Sequence, residues 1–279
     1  MSDHKITTLL FDCDNTLVLS EKLAFEACAK LANEILDQYH IPVHYTGHEL
    51  FTKFVGQNFR GMMTALKTEH SLSELSDAEL NACVAREQEA VIDKINEALE
   101  PCVGVMDVLK DLANSKRFEL AVVSSSALKR VQASLEKVGM AGYFGDRVYS
   151  AATSLDKPTS KPDPAIYLHA CRVMGKQPSE CVAIEDSKSG TTSAVRANIR
   201  TVGYVGSYES TEQKEMTGIL TEVAANVADQ DKAAQDKHPN PDGLPIPIVI
   251  MEQWSTVEFE SCLQALEEKP YVPFLPKTV

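Results

Sequence analysis

Five short apolar runs rich in β-branched residues constrain this chain more than any other feature. Residues 6–11 form the first and stop at Asp-Cys-Asp-Asn; residues 119–123, 181–184, 201–205 and 246–251 have the same character. Runs of this length bounded by polar residues read as buried strands ending in loops. Helical patterns separate them: Val105, Val108, Leu109 and Leu112 recur at helical spacing, as do Leu128, Val131, Leu135 and Val138 ahead of Gly139. A third helix opens with Asp163 as N-cap and Pro164 at its first position. It carries Ile166, Tyr167, Ala170, Cys171 and Met174 on one stripe and ends at Gly175. Strands alternating with such helices predict an α/β fold, a doubly wound, Rossmann-like parallel sheet.

The stretch 19–100 breaks this alternation, because it holds long helical patterns and no strand. Leu23, Ala27, Leu31 and Ile35 share one face. Ser76 and Glu79 form a capping box ahead of Leu80, Val84, Val91, Ile95 and Leu99. The expected organisation is a core domain made of 1–18 and 101–268, an α-helical domain inserted over 19–100, and a C-terminal tail over 269–279. A chain of 279 residues has room for one large domain and a smaller inserted one. The polar stretch 229–243, rich in Pro and Asp, is expected to be a surface loop before the last strand.

In open α/β sheets ligands bind beyond the carboxyl ends of the strands. After the first run come Asp12, Asp14 and Thr16; after the second, Ser124 and Ser125; ahead of the Asp163 helix, Lys161; after the third run, Glu185 and Asp186. Three carboxylates and a backbone carbonyl make a hard oxygen site that suits Mg²⁺. The formal net charge of -13 gives that cation a further reason. A chain this acidic, with no basic patch, repels nucleic acid and anionic membranes, and a phosphate pocket within it needs metal, Lys or Arg. Lys161 and the Ser124 hydroxyl are placed to neutralise phosphoryl oxygens.

The seven Cys are odd in number and form no CxxC pair, which points to reduced thiols in a cytoplasmic compartment. The opening MSDHKITTLLFDCD has too short an apolar stretch for a signal peptide, and no long uncharged run marks a membrane span.

The segment FDCDNT resembles the DxDx(T/V) signature of haloacid dehalogenase-like phosphotransferases, and VVSSS, SKPDP and IEDSKSG resemble that family's other three signatures, in the family's order. The resemblance covers residues 6 to about 225 and points to the branch that holds phosphatases and beta-phosphoglucomutase-like enzymes. It implies that Asp12 is a nucleophile forming an aspartyl-phosphate and that Asp14 is the acid and base. It implies Mg²⁺ held by the Asp12 carboxylate, the Asp14 carbonyl and Asp186, with Glu185 beside it or through water. It also implies that Ser124 and Lys161 hold the phosphate, with the Ser125 backbone N–H assisting, and that the helical insertion is a mobile cap. Asn15 and Asn198 stand where the family usually has Gly; Asn is the residue that best tolerates a left-handed backbone.

The implied net reaction is hydrolysis of a small phosphorylated metabolite, a sugar phosphate or similar ester. A phosphomutase would use the same residues. A dehalogenase lacks the second aspartate, and a non-catalytic phosphate-binding regulator has no need of the whole set. In the insertion, Arg60 and Gln57 stand in a segment that resembles the part of related caps that closes over substrate, so Arg60 is a candidate substrate contact or, equally, a solvated helix residue. His40, His44 and His48 have metal-site spacing, but Pro42 and Gly47 interrupt it, so they read as loop residues. Alternation along an extended chain sends Cys13 away from Asp12 and Asp14, into packing.

Overall fold

The structure, a computed structural model, describes residues 5–54, 59–230 and 246–269. The segment 55–58, the stretch 231–245 and the tail from 270 lie outside the described residues. With them go most of the loop expected over 229–243 and the tail expected over 269–279.

Internal packing divides the chain into two units. The first comprises Met1–Val18, Pro101–Gln132 and Gly139–Val279, and the second Leu19–Glu100 and Ala133–Val138. The first unit is built on a six-stranded parallel sheet: β1 (Thr8–Phe11), β2 (Glu119–Ser124), β3 (Val148–Ser150), β4 (Cys181–Glu185), β5 (Arg200–Tyr204) and β6 (Ile248–Met251), side by side in the order β3-β2-β1-β4-β5-β6. Each of the five apolar runs contains a strand. The sixth, β3, is three residues long at the sheet edge, too short to show a period of its own. Every residue of β1, β4 and β5 is buried, as strands covered on both faces require.

Successive side chains of β1 serve opposite faces. Leu10 packs with Ala121, Ala183, Ile166 and Tyr167. Phe11 meets Phe144, Trp254 and Phe259 at ring separations of 5.9, 6.2 and 6.5 Å. Cys13 continues the Phe11 parity and is fully buried, which is why it sits among packing side chains while Asp12 turns the other way. All seven cysteines are free and buried.

The second unit holds α1 (Glu21–Gln38), α2 (Gly47–Lys53), α3 (Phe59–Glu69) and α4 (Asp77–Ala98) around Leu31, Ile35, Leu50, Met62, Leu66 and Leu80. Its α2 and α4 helices start where capping residues stand in the sequence. The Ser76 hydroxyl accepts from Glu79 N–H while the Glu79 carboxylate accepts from Ser76 N–H, closing the capping box at the start of α4. His48 lies within α2, a correction to its reading as a loop residue: Gly47 opens the helix behind a Thr46–Glu49 capping box. His40 follows α1 at φ +57°, and His44 Nε2 stands 2.7 Å from Asp37.

Returning to the first unit, α5 (Val105–Ser115), α6 (Leu128–Lys137), α7 (Ala141–Phe144), α8 (Ala165–Met174), α9 (Lys188–Arg196), α10 (Ser210–Gln230) and α11 (Thr256–Glu268) alternate with the strands; the end of α6 groups with the second unit. α8 begins one residue later than sequence spacing places it, with Pro164 at the cap position. Asp163 still caps the end, its Oδ1 accepting from Ala165 N–H at 2.9 Å. Asn15 and Asn198 have φ of +57° and +58°, the left-handed backbone their identity predicts. No helix of the described residues is long and apolar enough to cross a membrane.

Candidate active site

Sheet register brings distant acids together. Phe11 pairs with Ile184 on one side and Val122 on the other, and the Asp12 N–H donates to the Ile184 carbonyl at 2.9 Å. Asp12 therefore leaves β1 next to the point where Glu185 ends β4 and Asp186 follows. The chain proceeds from β1 out to β3 and returns to β4 on the other side of β1, so this is the switch point where an open α/β sheet leaves a crevice.

Lys161 joins the cluster. Its Nζ donates to Asp12 Oδ1 and Glu185 Oε1, each at 2.5 Å, and to the Val123 carbonyl at 2.7 Å. All three ammonium protons thus have acceptors, as an almost fully buried charge requires. Tyr167 donates its hydroxyl to Glu185 Oε1 at 2.6 Å, and its ring lies 5.2 Å from Lys161 Nζ. Burial alone would lower the Lys161 ammonium, but the Asp12 and Glu185 carboxylates outweigh it and hold it above its ordinary value.

Asp186 accepts from Thr16 Oγ1 at 3.2 Å and from the Tyr208 hydroxyl at 3.3 Å. Asp12, Glu185 and Asp186 each offer a carboxylate oxygen, all within 4.8 Å of one another. An all-oxygen, all-carboxylate donor set fits a hard divalent cation. Charge balance agrees, because the Lys161 ammonium pairs with Asp12 and Glu185 while Asp186 adds a third buried carboxylate to the cluster. At Asp12, burial above all, opposed by Lys161 and reinforced by Glu185 and Asp14, pushes the carboxyl up to about 7. Between about pH 4 and about pH 7 the folded protein then holds a proton that the unfolded chain releases, so the stability contributed by this group falls as pH rises through that window. A divalent cation opposite Asp12 removes the need for the proton. The gain in Tm on replacing chelator with Mg²⁺ is therefore expected to be larger near pH 8 than near pH 5. Equal gains at both would contradict this assignment.

Three consecutive serines at the end of β2 and just beyond it tie the site together in three different ways. Ser124 Oγ accepts from Ser126 N–H at 3.0 Å, closing the turn. Ser125 Oγ accepts from Lys161 N–H at 3.1 Å, fixing the loop that carries the ammonium. Ser126 Oγ donates to Asp14 Oδ2 at 2.7 Å, and Arg130 Nη2 stands 3.3 Å from Asp14 Oδ1. The Lys161 loop is also held from α9, where Ser193 Oγ donates to the Asp163 carbonyl at 2.7 Å.

Gly190 is required by the same cluster. A Cβ there would overlap the Glu185 carboxylate, whose Oε2 is buried without a hydrogen-bond partner among the described residues. Gly190→Ala is expected to destabilise the protein by about 1–3 kcal/mol, since overpacking displaces Glu185 and with it Lys161. An unchanged melting curve would contradict that placement.

Of the residues singled out in the sequence, Asp12, Asp14, Thr16, Ser124, Ser125, Lys161, Glu185 and Asp186 all stand in this one constellation. Arg60 lies in α3 of the second unit with an exposed side chain, lining a groove with Thr64, Lys67 and Asn81. The site also holds Ser126, Arg130, Tyr167 and Tyr208, which the sequence alone does not single out as site residues. Tyr208 follows β5, so extending the strand-end rule to that strand finds it. Tyr167 carries a signal too, because a buried Tyr on an apolar stripe needs a partner for its hydroxyl. Ser126 and Arg130 carry none beyond nearness to Ser124.

A family profile described as haloacid dehalogenase-like hydrolase matches residues 6–198. The chain belongs to the haloacid dehalogenase-like hydrolase family. Among curated relatives of this hydrolase, the 6-phosphogluconate phosphatase of Escherichia coli K12 is 26% identical over 195 residues, 70% of this chain and 80% of its own. The phosphorylated carbohydrates phosphatase of Thermotoga maritima is 29% identical over 198 residues, 70% of this chain and 82% of its own. A solved structure from Thermotoga maritima, assigned as a beta-phosphoglucomutase, superposes with a TM-score of 0.58 at 26% identity, covering 81% of this chain and all of that one. Such likeness accords with the Rossmann-like core and with a hydrolase whose family relatives include phosphatases.

Proposed function

We propose that this hydrolase is a Mg²⁺-dependent phosphatase that cleaves a small phosphorylated metabolite, a sugar phosphate or similar ester, through an aspartyl-phosphate on Asp12. The observation that carries the reading is the buried set of Asp12, Lys161, Glu185 and Asp186 at the switch point of the sheet. It unites one nucleophile with one cation and the ligands for another. The phosphatase relatives support the reaction class.

In this reading Asp12, Asp186 and the Asp14 carbonyl hold Mg²⁺, with Glu185 beside them. When bound, the ion neutralises phosphoryl oxygens that would otherwise be repelled by the acids. The Asp12 carboxylate attacks phosphorus as the bond to the leaving oxygen breaks, and Asp14 delivers a proton to that oxygen. Water then attacks the aspartyl-phosphate, Asp14 takes its proton, and inorganic phosphate leaves. Lys161 and the Ser124 hydroxyl stabilise the charge on the transferring group, with the Ser125 N–H aiding. The helical unit over 19–100 acts as a cap that selects substrate, with Arg60 as a polar contact.

A screen of phosphorylated metabolites with Mg²⁺ and with chelator tests this, using Asp12→Asn as blank. Steady, metal-dependent phosphate release is the expected result. Isomerised sugar phosphate without release would replace the phosphatase with a phosphomutase, the reading that the Thermotoga structure favours.

A further inference from the structure

Both oxygens of Asp14 are engaged, one from the loop after β2 and one from the first turn of α6. Oδ2 accepts from Ser126 Oγ at 2.7 Å and Oδ1 faces Arg130 Nη2 at 3.3 Å, with the two charged side chains 27% and 18% exposed. The donors are themselves anchored. Ser126 N–H is tied to Ser124 Oγ, and its carbonyl accepts from Ser150 Oγ at 2.7 Å, which in turn accepts from Thr153 Oγ1 at 2.9 Å. Arg130 lies four residues on, in the first turn of α6. The Asp14 backbone is fixed as well, by its bridge to Val18 across a turn with Asn15 at positive φ.

Accepting the phosphatase reading on which this rests, we infer that Ser126 and Arg130 are positioning residues for Asp14. They hold its carboxyl group in the orientation from which, carrying the proton taken from water in the preceding turnover, it protonates the leaving oxygen. A lone aspartate at a site more than a quarter open to solvent samples several rotamers. Two donors at fixed positions select one. Neither residue touches the phosphoryl group in this account, so both act on proton transfer and leave phosphate binding unaltered.

The test compares two esters of similar shape, phenyl phosphate and p-nitrophenyl phosphate, because phenolate needs a proton to leave and nitrophenolate does not. The quantity is kcat/KM with Mg²⁺, which reports the step that expels the leaving group. General acid catalysis contributes about 10²- to 10⁴-fold, and a misplaced acid forfeits part of it. Arg130→Ala and Ser126→Ala are each expected to lower kcat/KM about tenfold or more on phenyl phosphate but less than about threefold on p-nitrophenyl phosphate. The inhibition constant of inorganic phosphate stays unchanged, and Arg130→Lys recovers part of the loss. Any unfolded fraction lowers both rates alike and leaves their ratio intact. Equal losses on the two esters, or none on either, would overturn the positioning role while leaving the phosphatase standing. A wild-type protein inactive on both would remove the phosphatase reading and this inference together.

Discussion

Lys161→Met is expected to cut turnover by about 10²- to 10³-fold and to destabilise the metal-free protein at once. The ammonium is the shared partner of Asp12 and Glu185, and the substituted chain keeps the volume but removes the charge. Breaking a buried ion pair by deleting one member costs about 3–5 kcal/mol, a fall in Tm on the order of 10 °C for a chain of this size. Loss of a preorganised charge at the transferring group costs about 10²- to 10³-fold in rate. The two effects separate on adding Mg²⁺. A divalent cation opposite the carboxylates restores much of the melting temperature, whereas turnover stays low because the phosphoryl oxygens still lack their second cation. Thermal melts and phosphate release measured on the same samples check this, and a Lys161→Met protein of undiminished turnover would contradict it.

Asp12→Asn is expected to have the largest kinetic effect and the opposite effect on stability. Without the nucleophile no aspartyl-phosphate forms, and turnover falls by about 10⁴-fold or more. The metal-free protein becomes more stable near pH 8, since the neutral amide stands in for the protonated form that a carboxyl pushed up to about 7 already favours. Near pH 5 the two proteins melt alike. A melting temperature lowered at both pH values would contradict the charge balance drawn for the cluster.

Much of this arrangement is legible in the sequence, for a reason visible in particular elements. β1, β4 and β5 are buried along their whole length, so they announce themselves as apolar runs, and the acids that follow them mark the sheet's carboxyl edge. Asp12, Glu185 and Asp186 follow from that rule alone. What the sequence hides depends on which strands are neighbours. β3 pairs with β2 alone among the described strands, and Tyr208 reaches Asp186 only because β5 lies beside β4. The sequence points to Lys161 as a phosphate contact; the structure adds that it bridges two carboxylates, contacts between residues 149 and 24 positions apart that no local pattern encodes. Ser126 and Arg130 are hidden for the same reason, since Asp14 lies 112 and 116 residues before them.

Asp12 is the group proposed to take up phosphorus, and every step above depends on it. Acid quenching during turnover of p-nitrophenyl phosphate, followed by peptide mass spectrometry, measures this directly. The predicted result is a phosphorylated peptide whose modification maps to Asp12, present with Mg²⁺ and missing both with chelator and in Asp12→Asn. Steady turnover with phosphate on another residue, or undiminished turnover in Asp12→Asn, would contradict it.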